Sequence, residues 1–404
     1  MIRPDSPGDT RTGVRDNRHA DKTPVLSRAR LGRHVLDGLL FISFLSISLG
    51  VLADYQEGGN SWKQGDWLIN NAGTPVRRGP FGSMVLFVGD LLGASPLAVI
   101  CIIQVLVLAM LFLALRALVA RAGPVRVQAL LLLSPAMFTV FWATDPQGAV
   151  RKELLAFAGL ALVGLGALRV DRAALWLGVA VFCISTLAHE AMVLFLPMLL
   201  AILVVSGLHE SAPRQAIAAG VIAICASAGA FLFALGHVQV ADPGVVCAPL
   251  LDRGLDGRIC DGAIKWLAND ARAGAEAVAD RLTASSLSGF AIAVLVALAP
   301  FACLVWIVTR RLLSLVLLIL SAVPFMPLYP FTEDWGRWLS LHVFSMAVLL
   351  ACAMATGRVR LRKPPSRWLV GALVALALLV SPSHMIGVAG AGARIAKDIL
   401  PLPG

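Results

Sequence analysis

The sequence predicts an all-α protein, a polytopic transmembrane bundle of about eleven helices, and three observations carry that expectation. Its 404 residues are 58% hydrophobic and 14% charged, with a mean hydropathy of +0.82, whereas a soluble domain carries about 25% charged residues. Apolar runs recur along the whole chain, each long enough for the roughly 20 residues that cross a bilayer. The runs are continuous rather than alternating, so they read as helices, which satisfy their own backbone in lipid. Strands of a membrane barrel would alternate polar with apolar residues.

The net charge of +10 is localised. Residues 1–33 hold eight Lys/Arg against four Asp, and residues 357–367 add Arg358, Arg360, Arg362, Lys363 and Arg367 with no acid. These two stretches account for nine of the ten charges, and both flank apolar runs. Basic segments in that position hold a loop in the cytoplasm, so no nucleic-acid partner is needed to explain them. Residues 1–33, rich in Pro, Asp, Arg, Thr and Ser, are expected to form a disordered cytoplasmic tail. The first apolar run begins near Val35 with no small-residue cleavage site after it, and reads as a retained anchor rather than a signal peptide.

A membrane domain over residues 34–386 follows. Its expected spans are approximately 35–53, 96–119, 127–143, 148–169, 173–188, 191–208, 215–236, 286–308, 312–329, 339–356 and 368–385. The run 173–208 would be about 54 Å long as one helix at 1.5 Å per residue, so it must turn, and its polar break is His189-Glu190. With the basic tail inside, alternation puts Arg116/Arg121/Arg126, Arg169/Arg172, Arg214, Arg310/Arg311 and residues 357–367 on the same inner side, as the positive-inside rule requires. The expected setting is a bacterial inner membrane, with the N-terminus cytoplasmic and residues 387–404 forming an external, periplasmic C-terminal tail.

The outer loops are then 54–83, 144–152, the 189–190 turn, 237–285 and 330–338. Residues Pro80–Gly93 are too short to span and read as interfacial or re-entrant. In the long outer loop 237–285, residues 262–283 read as an amphipathic surface helix. Cys101, Cys183, Cys225, Cys303 and Cys352 lie inside apolar runs as small hydrophobes. Cys247 and Cys260 share the long outer loop, where an oxidising compartment favours a disulfide. A zinc pair is the alternative, but neither further Cys nor clustered His completes four ligands.

Four polar clusters converge on that outer face: Asp66-Trp67 with the block 70–79, Asp145-Pro146-Gln147 with Arg151-Lys152-Glu153, His189-Glu190, and Glu333-Asp334-Trp335-Gly336-Arg337-Trp338. Ionisable groups gathered on one membrane face are the signature of a site. Arg77, Arg78, Arg151 and Lys152 lie on the side that normally sheds basic residues. Two accounts are open. They could snorkel and pair with local acids, or form an anion site, because arginine forks match phosphate. Asp145-Pro146 has the form of a helix cap, which leaves Asp145 a supporting candidate beside His189, Asp334 and His342. Trp62, Trp67, Trp142, Trp335 and Trp338 fall at the outer interface, as an aromatic belt would. The histidines lack ligand spacing and no Asp-x-Asp pair occurs, so neither metal nor cofactor is expected.

A first outer loop bearing Asp and Arg and running into an interfacial helix resembles the GT-C superfamily of membrane glycosyltransferases. Within it, Gly73-Thr74-Pro75-Val76-Arg77-Arg78-Gly79, Arg151-Lys152-Glu153, His189-Glu190 and Asp334-Trp335-Gly336-Arg337 are similar to EpsG-like and Wzy-type polysaccharide polymerases. The likeness of layout covers most of residues 35–385. It implies a GT-C-like fold and an enzyme that takes a sugar or oligosaccharide from a polyprenyl-(di)phosphate donor in the membrane lipid to a glycan acceptor. Arg77, Arg78, Arg151, Lys152 and Arg337 would then hold the donor phosphates, and Asp66, Glu153 or Glu190 would act as base. The metal-gripping Asp-x-Asp motif of oligosaccharyltransferase-type members is absent, as is the Arg- and His-rich long loop of O-antigen ligases. A transporter or flippase for a lipid-linked or anionic substrate would instead concentrate polarity at the midplane and show repeated halves. Here Gln104 is the clearest mid-helix polar residue and no repeat stands out. A non-catalytic subunit of an envelope assembly would use the charges only for folding.

Overall fold

The structure, a computed structural model, describes residues 23–389, with side chains from Arg30 onward. Helix α1 (Thr23–Gln56) opens it, so the expected tail 1–33 gives way to helix at Thr23, and its first 22 residues lie outside the described residues. In the loop after α1, α2 (Gln64–Trp67) is a single turn. It leads to α3 (Gly79–Leu92), the expected interfacial piece, whose 14 residues are too short to cross a bilayer. Phe81, Val85 and Leu86 of α3 are buried while Phe87, Leu91 and Leu92 are exposed. Helix α4 (Pro96–Val119) coincides with an expected span.

The expected span 127–143 is broken. It forms α5 (Val125–Leu132) and α6 (Phe138–Thr144), separated at Ser134-Pro135. Proline lacks an N–H and turns its predecessor away from the helical region. The polar groups near the break find partners inside the protein: Ser134 Oγ donates to the Ala297 carbonyl at 2.8 Å and Ser43 Oγ to that of Thr139 at 2.5 Å. Non-helical backbone at membrane depth is tolerated only when buried and satisfied in this way.

Helices α7 (Glu153–Arg169) and α8 (Arg172–Ala188) form the centre of the bundle, α7 being buried from Glu153 to Ala167. Gly159 and Gly178 let their backbones meet. A methyl group on Gly178 would come within 2.6 Å of the Val163 nitrogen, and one on Gly159 within 2.9 Å of that of Phe182. Small residues at a helix–helix seam allow this approach in lipid, where hydrophobicity alone does not drive association. The chain turns at His189 as expected, runs through a 3₁₀ helix (Glu190–Phe195), and continues as α9 (Leu196–Val205), α10 (Leu208–Ser211) and α11 (Pro213–Gly236).

The long loop 237–285 holds α12 (Gly244–Leu251), the joined pair Cys247–Cys260 and α13 (Ala271–Arg281). Then come α14 (Ala284–Ile307), α15 (Arg311–Ala322) with a 3₁₀ extension to Leu328, α16 (Trp335–Ala355) and α17 (Arg367–Leu379). The last expected span, 368–385, stops at Leu379. Beyond it β1 (Ser381–Pro382) pairs antiparallel with β2 (Val388–Ala389), making a short reversal rather than more helix. Residues 390–404 of the expected external tail lie outside the described residues.

Among the described residues, six helices are long and apolar enough to cross a membrane: Arg30–Gln56, Pro96–Val119, Pro213–Gly236, Ala284–Ile307, Arg311–Leu328 and Trp335–Ala355. The other expected spans fall on shorter or broken helices. The chain is thus a helical, membrane-embedded protein, and its perimeter matches: Phe41, Leu113, Leu232, Leu295 and Leu312 are all more than half exposed on the long helices. Three tryptophans depart from the expected belt. Trp67 and Trp142 are wholly buried, Trp142 in a cluster with Phe138 and Phe157, and Trp338 is almost wholly so.

Candidate functional site

All four polar clusters open onto one cavity of about 700 Å³. Local chemistry sets each wall. In the first loop, Asn71 Oδ1 accepts the Val76 N–H at 3.0 Å, and Asn70 Nδ2 donates to the Val246 carbonyl at 2.9 Å, pinning the block to the disulfide loop. Arg78 then sits in the left-handed region, φ 68°, just before α3. Its guanidinium reaches the turn after α8, where Nε and Nη2 donate to the Glu190 carboxylate at 2.7–3.0 Å.

The second wall carries backbone strain. Val150 has φ 47°, a conformation that a β-branched residue rarely adopts. Two buried donors hold it there, Trp67 Nε1 and Gln104 Nε2, each 2.9 Å from the Val150 carbonyl oxygen. Strain of this kind persists only where the surroundings over-determine it. Gln104 therefore has a structural role, and the turn it fixes sets the path of Arg151-Lys152-Glu153. Glu153 accepts both arms of Arg337 from α16 at 3.0 Å, and Arg337 Nη1 also reaches Asp334 at 2.5 Å.

These contacts decide which charges are spent. The forks of Arg78 and Arg337 are already occupied by carboxylates. Lys152 is fully buried, 3.7 Å from Asp66 Oδ1 and donating to the Arg78 carbonyl at 3.4 Å, and it does not line the cavity. Arg77 and Arg151 differ. Their nearest carboxylates lie at 4.0 Å (Glu190) and 3.9 Å (Asp334), and the buried Nε of each has no hydrogen-bond partner among the described residues. Arg151 also stands over the Trp62 ring. Of the three carboxylates considered as bases, Glu153 and Glu190 are engaged by arginine forks, whereas Asp66 Oδ1 makes no hydrogen bond.

Burial and charge tune the titrating groups. Burial pushes Lys152 down to about 8 against the pull of Asp66, with Arg78 adding to the fall. Burial works to raise Asp66, but Lys152 and Arg78 outweigh it and hold the carboxyl below its ordinary value. His189 is pushed down to about 3 by burial and then by Arg78, so the ring is neutral. Its Nδ1 accepts the Ala191 N–H at 3.1 Å, which assigns the proton to Nε2.

Two sequence candidates take other places. His342 pairs with Ser321 at 3.0 Å between α15 and α16, away from the cavity. Asp145 caps nothing with its side chain. Instead its Oδ2 accepts from both the backbone N–H and the ring of His384. The sequence gives no sign of this partnership, because nothing local links residues so far apart. The long loop adds Asn269, Asp270 and Arg281 to the lining, and Val193, Leu194, Phe231, Val238, Leu328 and Phe331 make an apolar wall.

The cavity therefore combines two arginines whose Nε atoms have no hydrogen-bond partner among the described residues, the Asp66 carboxylate held by Lys152 and Arg78, three tryptophans (Trp62, Trp266 and Trp338) and an apolar side. That set suits a ligand with an anionic head, hydroxyl groups and a greasy portion. Comparison of the chain with protein-family models, curated proteins and solved structures finds no match.

Proposed function

We propose that this protein is a membrane glycosyltransferase of the GT-C type, similar to EpsG-like and Wzy-type polysaccharide polymerases, acting at the outer face of a bacterial inner membrane. It transfers a sugar or oligosaccharide from a polyprenyl-linked (di)phosphate donor to a glycan acceptor. The observation that carries this reading is the placing of Arg77 and Arg151, with unspent donors, in a cavity that also has an apolar wall. A soluble anion would need no apolar wall, and a plain lipid would need no arginines.

In this reading Arg77 and Arg151 hold the donor phosphate and stabilise the charge it gains on leaving. Arg78, Arg337 and Lys152 hold the walls in register through their carboxylates, and Asp66 accepts hydrogen bonds from sugar hydroxyls. Attack by the acceptor from the face opposite the phosphate inverts the anomeric centre, and no metal is required. The N-terminus is cytoplasmic and the C-terminus external, a topology supported by the shared side of the basic loops.

Proteoliposomes with a synthetic polyprenyl-phosphosugar donor test the reading. Wild type should form product with or without chelator. Arg77→Lys and Arg151→Lys should each lose about 100- to 1000-fold in turnover, because an ammonium cannot form the fork. Full activity in both variants would reject the phosphate site, and donor crossing the bilayer uncleaved would favour transport. A reporter active only outside the cytoplasm should give signal when fused after Gly404 and none after Gly357.

A further inference from the structure

One ring on the cavity wall has no part in the phosphate site. His384 follows β1, and its Nδ1 lies 2.8 Å from Asp145 Oδ2 while its backbone N–H donates to the same oxygen at 2.7 Å. A carboxylate can only accept, so Nδ1 carries the proton and the Nε2 lone pair is left available. Nε2 makes no hydrogen bond among the described residues, and His384 lines the cavity.

The surroundings hold this ring closely. Ser381 Oγ donates to the Pro135 carbonyl at 3.2 Å and meets Thr144 Oγ1 at 2.9 Å, tying the terminal reversal to the segment that ends at Asp145. Two glycines permit the approach. A methyl group on Gly148 would stand 2.8 Å from His384 Cβ, and one on Gly336 would stand 1.7 Å from the Ser383 oxygen. The pairing thus rests on contacts from three separate parts of the chain.

Other acid–base groups on the cavity are poorly suited to take a proton. Glu190, Asp334 and Glu333 are engaged by Arg78, Arg337 and Arg281, Asp270 accepts the Ala273 N–H, and Glu153, bound by Arg337, does not line the cavity. Asp66 faces Lys152 and Arg78, which stabilise its ionised form and weaken it as a base. His189 spends its Nδ1 lone pair on the Ala191 N–H and presents a proton at Nε2.

We propose that His384 is the general base of this site and Asp145 its positioning residue, an inference that rests on the sugar-transfer reading above. The acceptor hydroxyl gives its proton to His384 Nε2 as its oxygen bonds to the anomeric carbon. The bond from that carbon to the donor phosphate oxygen breaks, and its electron pair leaves on the phosphate, which Arg77 and Arg151 stabilise. The imidazolium that forms is stabilised by Asp145, and its proton passes to water before the next turnover.

The test uses the full chain in proteoliposomes with the polyprenyl-phosphosugar donor. His384→Ala should lose about 100- to 10,000-fold in turnover with an unchanged KM for donor, and added imidazole should restore part of that loss. Imidazole should do nothing for Arg77→Ala. Asp145→Asn should keep the melting temperature of wild type yet lose turnover, because an amide can donate to Nδ1 and so favour the tautomer with its proton on Nε2. Should His384→Ala melt early, His384→Gln, closer in size, carries the comparison. Turnover by a folded His384 variant within threefold of wild type, on the order of experimental scatter against the loss expected of a base, would overturn the inference alone. So would a loss that appears only in KM. Absence of turnover in wild type would overturn the sugar-transfer reading and this inference with it.

Discussion

Arg337 at the start of α16 donates two hydrogen bonds, each 3.0 Å, to Glu153 at the first position of α7, and both side chains are almost wholly buried. The pair joins two helices far apart in sequence, and Arg337 lines the cavity. Such a pair is weak evidence of stabilisation against an apolar replacement, but removing one partner strands a buried charge, at a cost of about 3–5 kcal/mol. Arg337→Ala and Glu153→Ala should each lower the melting temperature in detergent sharply. Glu153→Gln should lower it less, since the amide leaves no stranded carboxylate and Asp334 still faces Arg337. Wild-type melting in Arg337→Ala would show that the pair has no structural part.

Adjacent arginines should behave oppositely. Arg78 is bidentate to Glu190, whereas Arg77 approaches that carboxylate only at 4.0 Å. Arg78→Ala should cost stability by leaving Glu190 without its main partner. Arg77→Ala should melt near wild type and lose binding of a fluorescent polyprenyl phosphate. Equal losses of stability in both variants would contradict this division.

The Cys247–Cys260 bond closes a loop whose ends are separated by 13 positions, and constraint of this size contributes roughly 3 kcal/mol. The same region reaches the rest of the site, through the Val246 carbonyl to Asn70 and through the fork of Arg253 to Asp90 on α3. Reductant, or the double change Cys247→Ser and Cys260→Ser, should lower the melting temperature and increase proteolysis within residues 237–285. Mass spectrometry of unreduced peptides should find the two joined; free thiols in freshly purified protein would count against it.

His189 gives a signed dependence on pH. Its folded value is about 3, pushed down first by burial and then by Arg78, against about 6.5 in the unfolded chain. Between those values the unfolded state binds a proton that the folded state does not, so stability is present above about pH 6.5 and falls with acidification, by up to about 1.4 kcal/mol per pH unit. Melting curves from pH 7 to pH 4.5 should show this fall. His189→Asn, whose carbonyl can still accept the Ala191 N–H, should flatten the slope by about one proton. An unchanged slope would assign the acid loss to other groups.

Some of this protein was legible in its sequence, and some was decided only by packing. Hydropathy and charge bias act over a window of neighbouring residues, so the apolar helices, the turn at His189-Glu190, the short helix α3 and the gathering of the four clusters followed from local composition. The Cys247–Cys260 pair followed from two cysteines in one loop. Where a local breaker competed with hydropathy, as at Ser134-Pro135 and beyond Leu379, the helix ended sooner than an apolar window suggested. Side-chain partners obey no local period. Whether an arginine is free or spent depends on which carboxylate a distant helix brings within hydrogen-bond reach, and that set Arg77 and Arg151 apart from Arg78 and Arg337. Asp145 has the local form of a helix cap, and only the return of the chain after α17 turns its carboxylate to His384 instead. In a low-dielectric interior such contacts, made or missing, fix the chemistry of each group, and they exist only once the helices have packed.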